Sequence, residues 1–259
     1  MITLCRDVDG SGPAVLLLHS SVCDRRMWDP QWLPLRDAGY QVIRCDFRGF
    51  GETPLPDQPY SEVTDVLDLL DTLGVRQVAL VAASFGGRVG LEVAARRPDR
   101  VNGMALLCPG MPGHRPGPEL AAFGRREDEL IEAGDLAGAV ELNVTTWLGP
   151  EADEPTRQRV RDMQRHAFEV QLAAVEDVPR LDLGEPDLGR ITAPCLVVSG
   201  RHDLADFRQI AERLPGVLPN ARHRELPWAG HLPSLERPAE VTTLLVDFLR
   251  ETLPHPATP

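Results

Sequence analysis

The stretch of residues 77–90 constrains this chain more than any other part of its sequence. Residues 78–83 form a short apolar run, typical of a strand that is buried on both faces. A sharp turn through Ser84 and two glycines follows, and residues 88–97 are compatible with a helix. A serine at such a junction stands at the carboxyl end of the strand, in front of the free backbone N–H groups of the helix N-terminus.

This arrangement is that of a nucleophile elbow, whose usual signature is G-x-S-x-G. Here the pattern is Ala82-Ala83-Ser84-Phe85-Gly86, so an alanine replaces the first glycine. Small residues on both sides of the serine suit a tight turn. An ordinary helix N-cap would also favour serine at this position. This stretch by itself therefore leaves two interpretations of Ser84, a nucleophile or an N-cap.

Composition and charge exclude several classes of protein. The 259 residues suffice for one large α/β domain or two small ones. No apolar run approaches the roughly 18 residues of a membrane span, and the N-terminus lacks the features of a secretory signal, so we expect a cytoplasmic protein. The net charge of -12 argues against nucleic acid or an anionic membrane as a partner. The five cysteines form no C-x-x-C pair and are odd in number, which indicates reduced thiols.

Strand and helix patterns alternate along the first 108 residues. This rhythm predicts a mostly parallel, doubly wound sheet with helices on both faces. The predicted strands are residues 2–8, 14–18, 41–45, 78–83 and 101–108. The predicted helices between them are residues 28–38, 60–73 and 88–97.

The rhythm breaks at Pro109. Residues 110–189 contain no convincing strand, and we interpret them as a helical cap inserted over the carboxyl edge of the sheet before its last two strands. Its predicted helices are residues 119–133, 135–148 and 155–175. Strands at 194–200 and 222–226 and helices at 204–214 and 238–253 complete the pattern. We therefore expect a core of residues 1–109 and 190–253, a cap of residues 110–189 and a tail of residues 254–259.

Three polar residues follow predicted strands at the same edge of the sheet. They are Ser84, Asp203 and His231, and functional residues gather at this edge in doubly wound folds. A serine hydroxyl becomes a useful nucleophile when a neutral imidazole takes its proton, and a carboxylate fixes the tautomer of that imidazole. Asp206 competes with Asp203 for the role of the carboxylate. We favour Asp203 because the pattern G-x-x-D puts it directly beyond its strand.

An acyl-transfer site also needs N–H donors for the developing oxyanion, each contributing about 3 kcal/mol to lowering the barrier. We expect one donor at the amide of Phe85, at the start of the helix, and the other at the amide of Ser21, in the loop after residues 14–18. Ser20 follows His19 in that loop. We expect His19 to order the loop by hydrogen bonding rather than to transfer protons.

Four motifs in register now resemble those of the α/β-hydrolase superfamily, over nearly the whole chain. The group it is similar to is the lidded one, with carboxylesterases, lactonases, proline iminopeptidases and cofactor-free haloperoxidase-like enzymes. The resemblance implies nucleophile Ser84, acid Asp203 and base His231. The matching motifs are L-L-L-H-S-S-V-C-D-R-R-M-W, D-F-R-G-F-G-E-T, A-A-S-F-G-G, and the pair G-R-H-D and A-G-H.

The chain departs from the family pattern at three places. Ala82 replaces the elbow glycine, and Ser20 replaces the glycine after His19. The second change bears on the backbone conformation of the loop that carries the Ser21 amide, because glycine adopts positive φ at little cost and serine does not. The family also usually has two antiparallel strands before the strand at residues 14–18, where we predict one.

The sequence favours a serine hydrolase that cleaves a small carboxylic ester or lactone through an acyl-enzyme. C–C bond hydrolases and acyl-transferring or perhydrolytic relatives use the same triad, so these reactions remain alternatives. A non-catalytic, ligand-binding scaffold is the alternative from another class. Haloalkane dehalogenases and epoxide hydrolases are disfavoured because they carry aspartate at the elbow. A proline iminopeptidase needs acidic groups for the amine of its substrate, and the predicted cap offers Glu127, Asp128, Glu141 and Glu169.

The partner we expect is a small molecule, and the sequence leaves the oligomeric state open. Candidate pocket residues are Trp28, Trp147 and His166, although the last two serve equally well as packing residues within the cap. We expect no cofactor. We also expect no metal requirement, because the sequence has no H-x-H or H-E-x-x-H cluster.

Overall fold

The computed structural model describes residues 4–173 and 178–253. In these residues seven strands form one sheet, in the order β1-β3-β2-β4-β5-β6-β7. β1 is antiparallel to β3, and every other neighbouring pair is parallel, so the expected fold class is confirmed. The strands are β1 Arg6–Asp9, β2 Ala14–Leu18, β3 Gln41–Cys45, β4 Val78–Ala83, β5 Val101–Leu107, β6 Cys195–Gly200 and β7 Ala221–Leu226.

The sheet separates the core into two layers, because successive side chains of a strand point to opposite faces. Val15 and Val81 pack with helices α1 (Asp29–Asp37) and α9 (Pro238–Thr252) on one face. Leu16 and Leu80 pack with α2 (Glu62–Thr72), α3 (Phe85–Arg96) and α7 (Ala205–Arg213) on the other. The central strands are covered on both sides, which explains their continuous apolar runs.

The helices follow the predicted pattern closely. Ser61 caps the N-terminus of α2, where its side chain accepts a hydrogen bond from Thr64 N–H. The short helix α8 was not predicted from the sequence, since its four residues are too few to show a periodicity. The helices are α1 Asp29–Asp37, α2 Glu62–Thr72, α3 Phe85–Arg96, α4 Pro118–Glu132, α5 Leu136–Trp147, α6 Glu154–Leu172, α7 Ala205–Arg213, α8 Pro233–Glu236 and α9 Pro238–Thr252.

Among the described residues, the α-helices between β5 and β6 are α4, α5 and α6. They have a small apolar cluster of their own, formed by Leu130, Ala139, Val140 and Phe168. The described part of residues 110–189 contains no strand beyond an isolated bridge at Arg180. The division into a core and a cap stays a prediction, although this separate cluster is what a cap would contain.

The ends of three predicted segments lie outside the described residues. The predicted strand at 2–8 begins outside them, and β1 covers only its second half. The predicted helix at 155–175 also extends beyond the described part, and the tail at 254–259 lies wholly outside it. Among the described helices, none has the length and apolar character that crossing a membrane requires.

Candidate active site

Ser84 lies at the turn between β4 and α3 with a strained backbone. Its φ is 50° and its ψ is -113°, a combination that non-glycine residues rarely adopt. The turn is held from both sides, since Ser84 N–H donates to the carbonyl of Leu107 (3.0 Å) and the Ser84 carbonyl accepts from Gly110 N–H (2.9 Å). The Ser84 side chain makes no capping hydrogen bond to α3. This geometry supports the interpretation as an elbow over that as an N-cap.

The turn requires glycine at position 86 because two backbones approach closely there. A Cβ atom on Gly86 would lie 2.5 Å from the carbonyl oxygen of Leu18. The Gly86 N–H donates to the carbonyl of His19 (3.1 Å), which joins the elbow to the loop after β2. Ala82, by contrast, is an ordinary residue of β4 and pairs with Leu18 in the neighbouring strand. The alanine in place of the first motif glycine is therefore accommodated.

His19 orders the loop after β2, as expected. Its Nε2 lies 3.0 Å from Phe47 N, which can only donate, so Nε2 accepts. The hydrogen of the neutral ring must then be on Nδ1, which donates to the carbonyl of Ser20 (2.8 Å). Burial lowers the pKa of His19, which favours this neutral form.

Ser20 does not need the conformational freedom of the glycine it replaces. Within residues 4–173 and 178–253, the non-glycine residues with positive φ are Ser84 and Cys108. Ser20 is buried and its N–H contacts Met27 Sδ at 3.3 Å. The concern that serine would disturb the oxyanion loop is therefore not supported by its backbone geometry.

The two amides expected to bind an oxyanion are both available. Phe85 is the first residue of α3, where backbone N–H groups have no partner inside the helix. Ser21 is exposed in the turn after β2. Among the described residues, neither amide donates a hydrogen bond to another protein group. Their role as an oxyanion hole stays a prediction.

Asp203 and His231 form a buried hydrogen-bonded pair. Oδ2 of Asp203 lies 2.7 Å from Nδ1 of His231, and the residues are 6% and 2% exposed. The other oxygen, Oδ1, accepts from Leu204 N–H (2.7 Å). No hydrogen bond joins the Ser84 hydroxyl to His231 within the described part of the chain. Such contacts often tighten only when substrate binds.

The neighbours of Asp203 have other partners. Asp206 accepts from the Gly117 N–H at 2.6 Å and lies 2.8 Å from Nε2 of His114. His202 is exposed to solvent. Two carboxylates were considered as the partner of His231. The structure pairs Asp203 with His231, whereas Asp206 contacts Gly117 and His114.

Aromatic side chains enclose the ring of His231. Its centroid lies 4.2 Å from that of Phe207 and 4.6 Å from that of Trp147. Phe123 continues this wall with a centroid 4.8 Å from Trp147. The His231 N–H also donates to the carbonyl of Trp147 (2.8 Å). Trp147 was a candidate pocket residue, whereas Phe207 and Phe123 were missed. Phe207 could have been predicted as a neighbour of the site, because it lies in the first turn of the helix that follows Asp203.

The geometry around Ser84 and His231 agrees with a comparison of sequences. A model of the alpha/beta hydrolase family matches residues 15–244. The chain belongs to this family. The expected membership of the α/β-hydrolase superfamily, a family of enzymes, is therefore confirmed.

Individual relatives of this α/β-hydrolase cover almost its whole length. The protein named "Putative carbamate hydrolase RutD" from Variovorax paradoxus is 31% identical over 252 residues, which is 92% of each chain. A thermophilic esterase from Thermogutta terrifontis is 26% identical, with a TM-score of 0.77 over 96% of this chain and 93% of its own. An enol-lactonase from Burkholderia xenovorans is 28% identical, with a TM-score of 0.73 over 95% and 96%.

The other two candidate pocket residues of this hydrolase lie elsewhere. Trp28 is fully buried in the core layer of α1 and α9. His166 lies on α6, and its Nε2 is 3.0 Å from the carbonyl oxygen of Gly51. His166 thus links α6 to the loop after β3. A role in substrate binding stays a prediction for both residues.

Cys108 is the buried neighbour of the Asp203–His231 pair. Its Sγ lies 3.6 Å from the carbonyl oxygen of Gly230. Burial, reinforced by the charge of Asp203, raises the pKa of this thiol well above its ordinary value, so it stays protonated. Cys108 therefore lacks the thiolate that a cysteine nucleophile needs.

Within residues 4–173 and 178–253, two groups of side chains combine the atom types that bind metals. Cys108 with Asp203 and His231 is one, and Cys5 with Asp46 and Glu52 is the other, each within 4.8 Å. In the first group the carboxylate of Asp203 and the imidazole of His231 are hydrogen-bonded to each other. In the second, the guanidinium of Arg25 pairs with both carboxylates. A hydrogen bond in the first group and two ion pairs in the second thus occupy these side chains. The sequence-based expectation of no metal requirement stays a prediction.

Proposed function

We propose that this α/β-hydrolase cleaves a small carboxylic ester or lactone through an acyl-enzyme at Ser84. The observation that carries the proposal is the buried Asp203–His231 pair, at the sheet edge where the strained Ser84 turn also lies. Because Nδ1 of His231 faces the carboxylate, Nε2 is the nitrogen left to exchange a proton with the serine.

The proposed reaction has an acylation and a deacylation stage. Ser84 Oγ attacks the carbonyl carbon of the ester while His231 takes its proton, and Asp203 stabilises the imidazolium. The amides of Phe85 and Ser21 would donate to the oxyanion of the tetrahedral intermediate. On collapse, His231 returns the proton to the leaving alkoxide, which departs as an alcohol. Water, deprotonated by the same imidazole, then releases the acid and restores Ser84.

The walls around His231 favour an uncharged, apolar group on the substrate. Phe123, Trp147 and Phe207 present aromatic rings there, and such rings bind apolar groups by burial. The similarity to an esterase and an enol-lactonase supports an ester or lactone as the bond cleaved. The similarity to a protein named as a carbamate hydrolase adds carbamates to the substrates that deserve testing.

A proline iminopeptidase is less well supported. Glu127 accepts a hydrogen bond from Asn143, and burial raises the pKa of Glu127, which weakens it as a partner for an amine. Glu141 pairs with Arg161 on the surface. Oε2 of Glu169 lies 3.9 Å from Nδ1 of His166, so three of the four acidic side chains considered for amine binding have other polar partners.

The test uses the Ser84→Ala variant with Ser11→Ala as a control in an exposed turn. Wild type and control are expected to hydrolyse a short-chain p-nitrophenyl ester and to be labelled by a fluorophosphonate, and Ser84→Ala is expected to do neither. A parallel panel of lactones, carbamates and proline amides defines the bond cleaved. Undiminished turnover by Ser84→Ala would overturn the mechanism. Wild-type protein that neither reacts nor labels would favour a non-catalytic ligand-binding role instead.

A further inference from the structure

The carboxylate of Glu236 joins two segments next to His231. Glu236 is the last residue of α8, five positions after His231. Its Oε1 accepts from Leu232 N–H (3.2 Å), and its Oε2 accepts from Gly149 N–H (3.1 Å). Gly230 N–H lies 3.0 Å and 3.1 Å from the two oxygens. One side chain therefore bonds the residues on both sides of His231 and the loop after α5.

The loop after α5 and the His231 loop are in direct backbone contact. A Cβ atom on Gly230 would lie 2.3 Å from the amide nitrogen of Gly149. The His231 N–H donates to the carbonyl of Trp147 at the end of α5. The catalytic ring and the end of α5 are thus connected through the ring contact of Trp147, this hydrogen bond and the Glu236 carboxylate.

We propose that Glu236 is a positioning residue that holds the His231 loop against the end of α5. This inference rests on the proposed function, because it assigns His231 the role of the base. Glu236 is partly buried, and taking a carboxylate out of water is costly unless hydrogen bonds satisfy it. Burial raises the pKa of Glu236, and the bonds from Gly230, Leu232 and Gly149 oppose that rise. The proposed role explains why a carboxylate is found here, since it fixes the loop whose geometry orients His231 for turnover.

The test compares Glu236→Gln with Glu151→Gln. The glutamine keeps the size of the side chain, but it has a single acceptor oxygen and turns its NH2 group toward a backbone donor. Glu151 lies two residues after Gly149 and forms an exposed ion pair with Arg237. It therefore controls for the loss of a carboxylate between the same two segments, without a bond to the His231 loop.

Kinetic constants give the first measurement. For Glu236→Gln we expect kcat to fall about tenfold with KM within about twofold, because a small misplacement of the base impairs catalysis more than binding. Glu151→Gln should match wild type in both. If Glu236→Gln fails to fold, Glu236→Asp replaces it, and it should also lower kcat while KM stays within about twofold.

Hydrogen exchange separates this proposal from the proposed function, since it needs no turnover. The amides of Gly149, Gly230 and Leu232 should exchange faster in Glu236→Gln than in Glu151→Gln. Wild-type protein without esterase activity would remove the proposed function and, with it, the catalytic purpose of the contact. Active wild type with an unchanged kcat in folded Glu236→Gln would overturn the positioning role alone.

Discussion

Nδ1 of His231 lies 2.7 Å from Oδ2 of Asp203, with both side chains almost completely buried. This bond fixes the orientation of the imidazole, and the proposed mechanism uses its other nitrogen, Nε2. Asp206, three residues further along the chain, bonds Gly117 and His114 instead. The two carboxylates are therefore distinguished by their partners, and the same substitution in each can separate their roles.

We expect Asp203→Asn to lower kcat by about a thousandfold to ten-thousandfold, because the amide would favour the wrong tautomer of the base. Asp206→Asn, the matched control, should retain kcat within about threefold while losing some stability. Both are measured with the ester that wild type turns over best. Equal losses in the two variants would contradict the assignment of Asp203 as the acid.

Gly86→Ala should abolish turnover, since the new Cβ would lie 2.5 Å from the carbonyl oxygen of Leu18. The elbow would have to open, which would displace Ser84. Gly124→Ala is the control, because a Cβ on this α4 residue meets nothing within 4 Å. Alanine is the better helix former by about 1 kcal/mol, so Gly124→Ala should be active and unfold at a slightly higher temperature. Full activity in Gly86→Ala would show that the elbow tolerates rearrangement.

Much of this site follows from the sequence because strand ends are a local signal. The apolar runs before Ser84 and Asp203 end at the same edge of a parallel sheet, so the residues after them could be predicted to converge. Glu236 could not be predicted in this way, because its partner Gly149 lies 87 positions away and offers only a backbone amide. Contacts of that kind depend on how two loops meet, and no periodicity or motif encodes them.

The backbone of Ser20 corrects an inference from the sequence. The family motif has glycine at this position, which suggested a positive φ, but the φ of Ser20 is not positive. We therefore expect Ser20→Gly to leave kcat within about twofold and to destabilise the protein by about 0.5–1 kcal/mol, because glycine loses more backbone entropy on folding. Steady-state kinetics and denaturant unfolding check the two parts. A large gain in kcat would indicate that serine does constrain the oxyanion loop.

Asn143 should influence the aromatic wall through Trp147. Its Oδ1 accepts from the indole N–H of Trp147 at 2.8 Å, and both residues are buried. Asn143→Leu would leave that N–H unpaired at a cost of about 1–3 kcal/mol. We expect KM to rise for substrates with a bulky apolar group and to change less for acetyl esters. A KM that rises equally for all esters would argue against Trp147 as part of the substrate wall.

Stability should depend on pH through Asp206. Burial raises the pKa of this carboxyl, but the hydrogen bonds from Gly117 and His114 outweigh burial and hold the pKa below its ordinary value of about 3.9. A depressed folded-state pKa means that the contribution is present above the unfolded-state pKa and is lost as the pH falls through the folded-state pKa. Asp206→Asn should therefore lower the free energy of unfolding by about 1–3 kcal/mol at pH 7. The difference from wild type should shrink below about pH 4. Urea unfolding at pH 7, 5 and 3 measures it, and a difference that stays constant across these pH values would contradict a role for the charge.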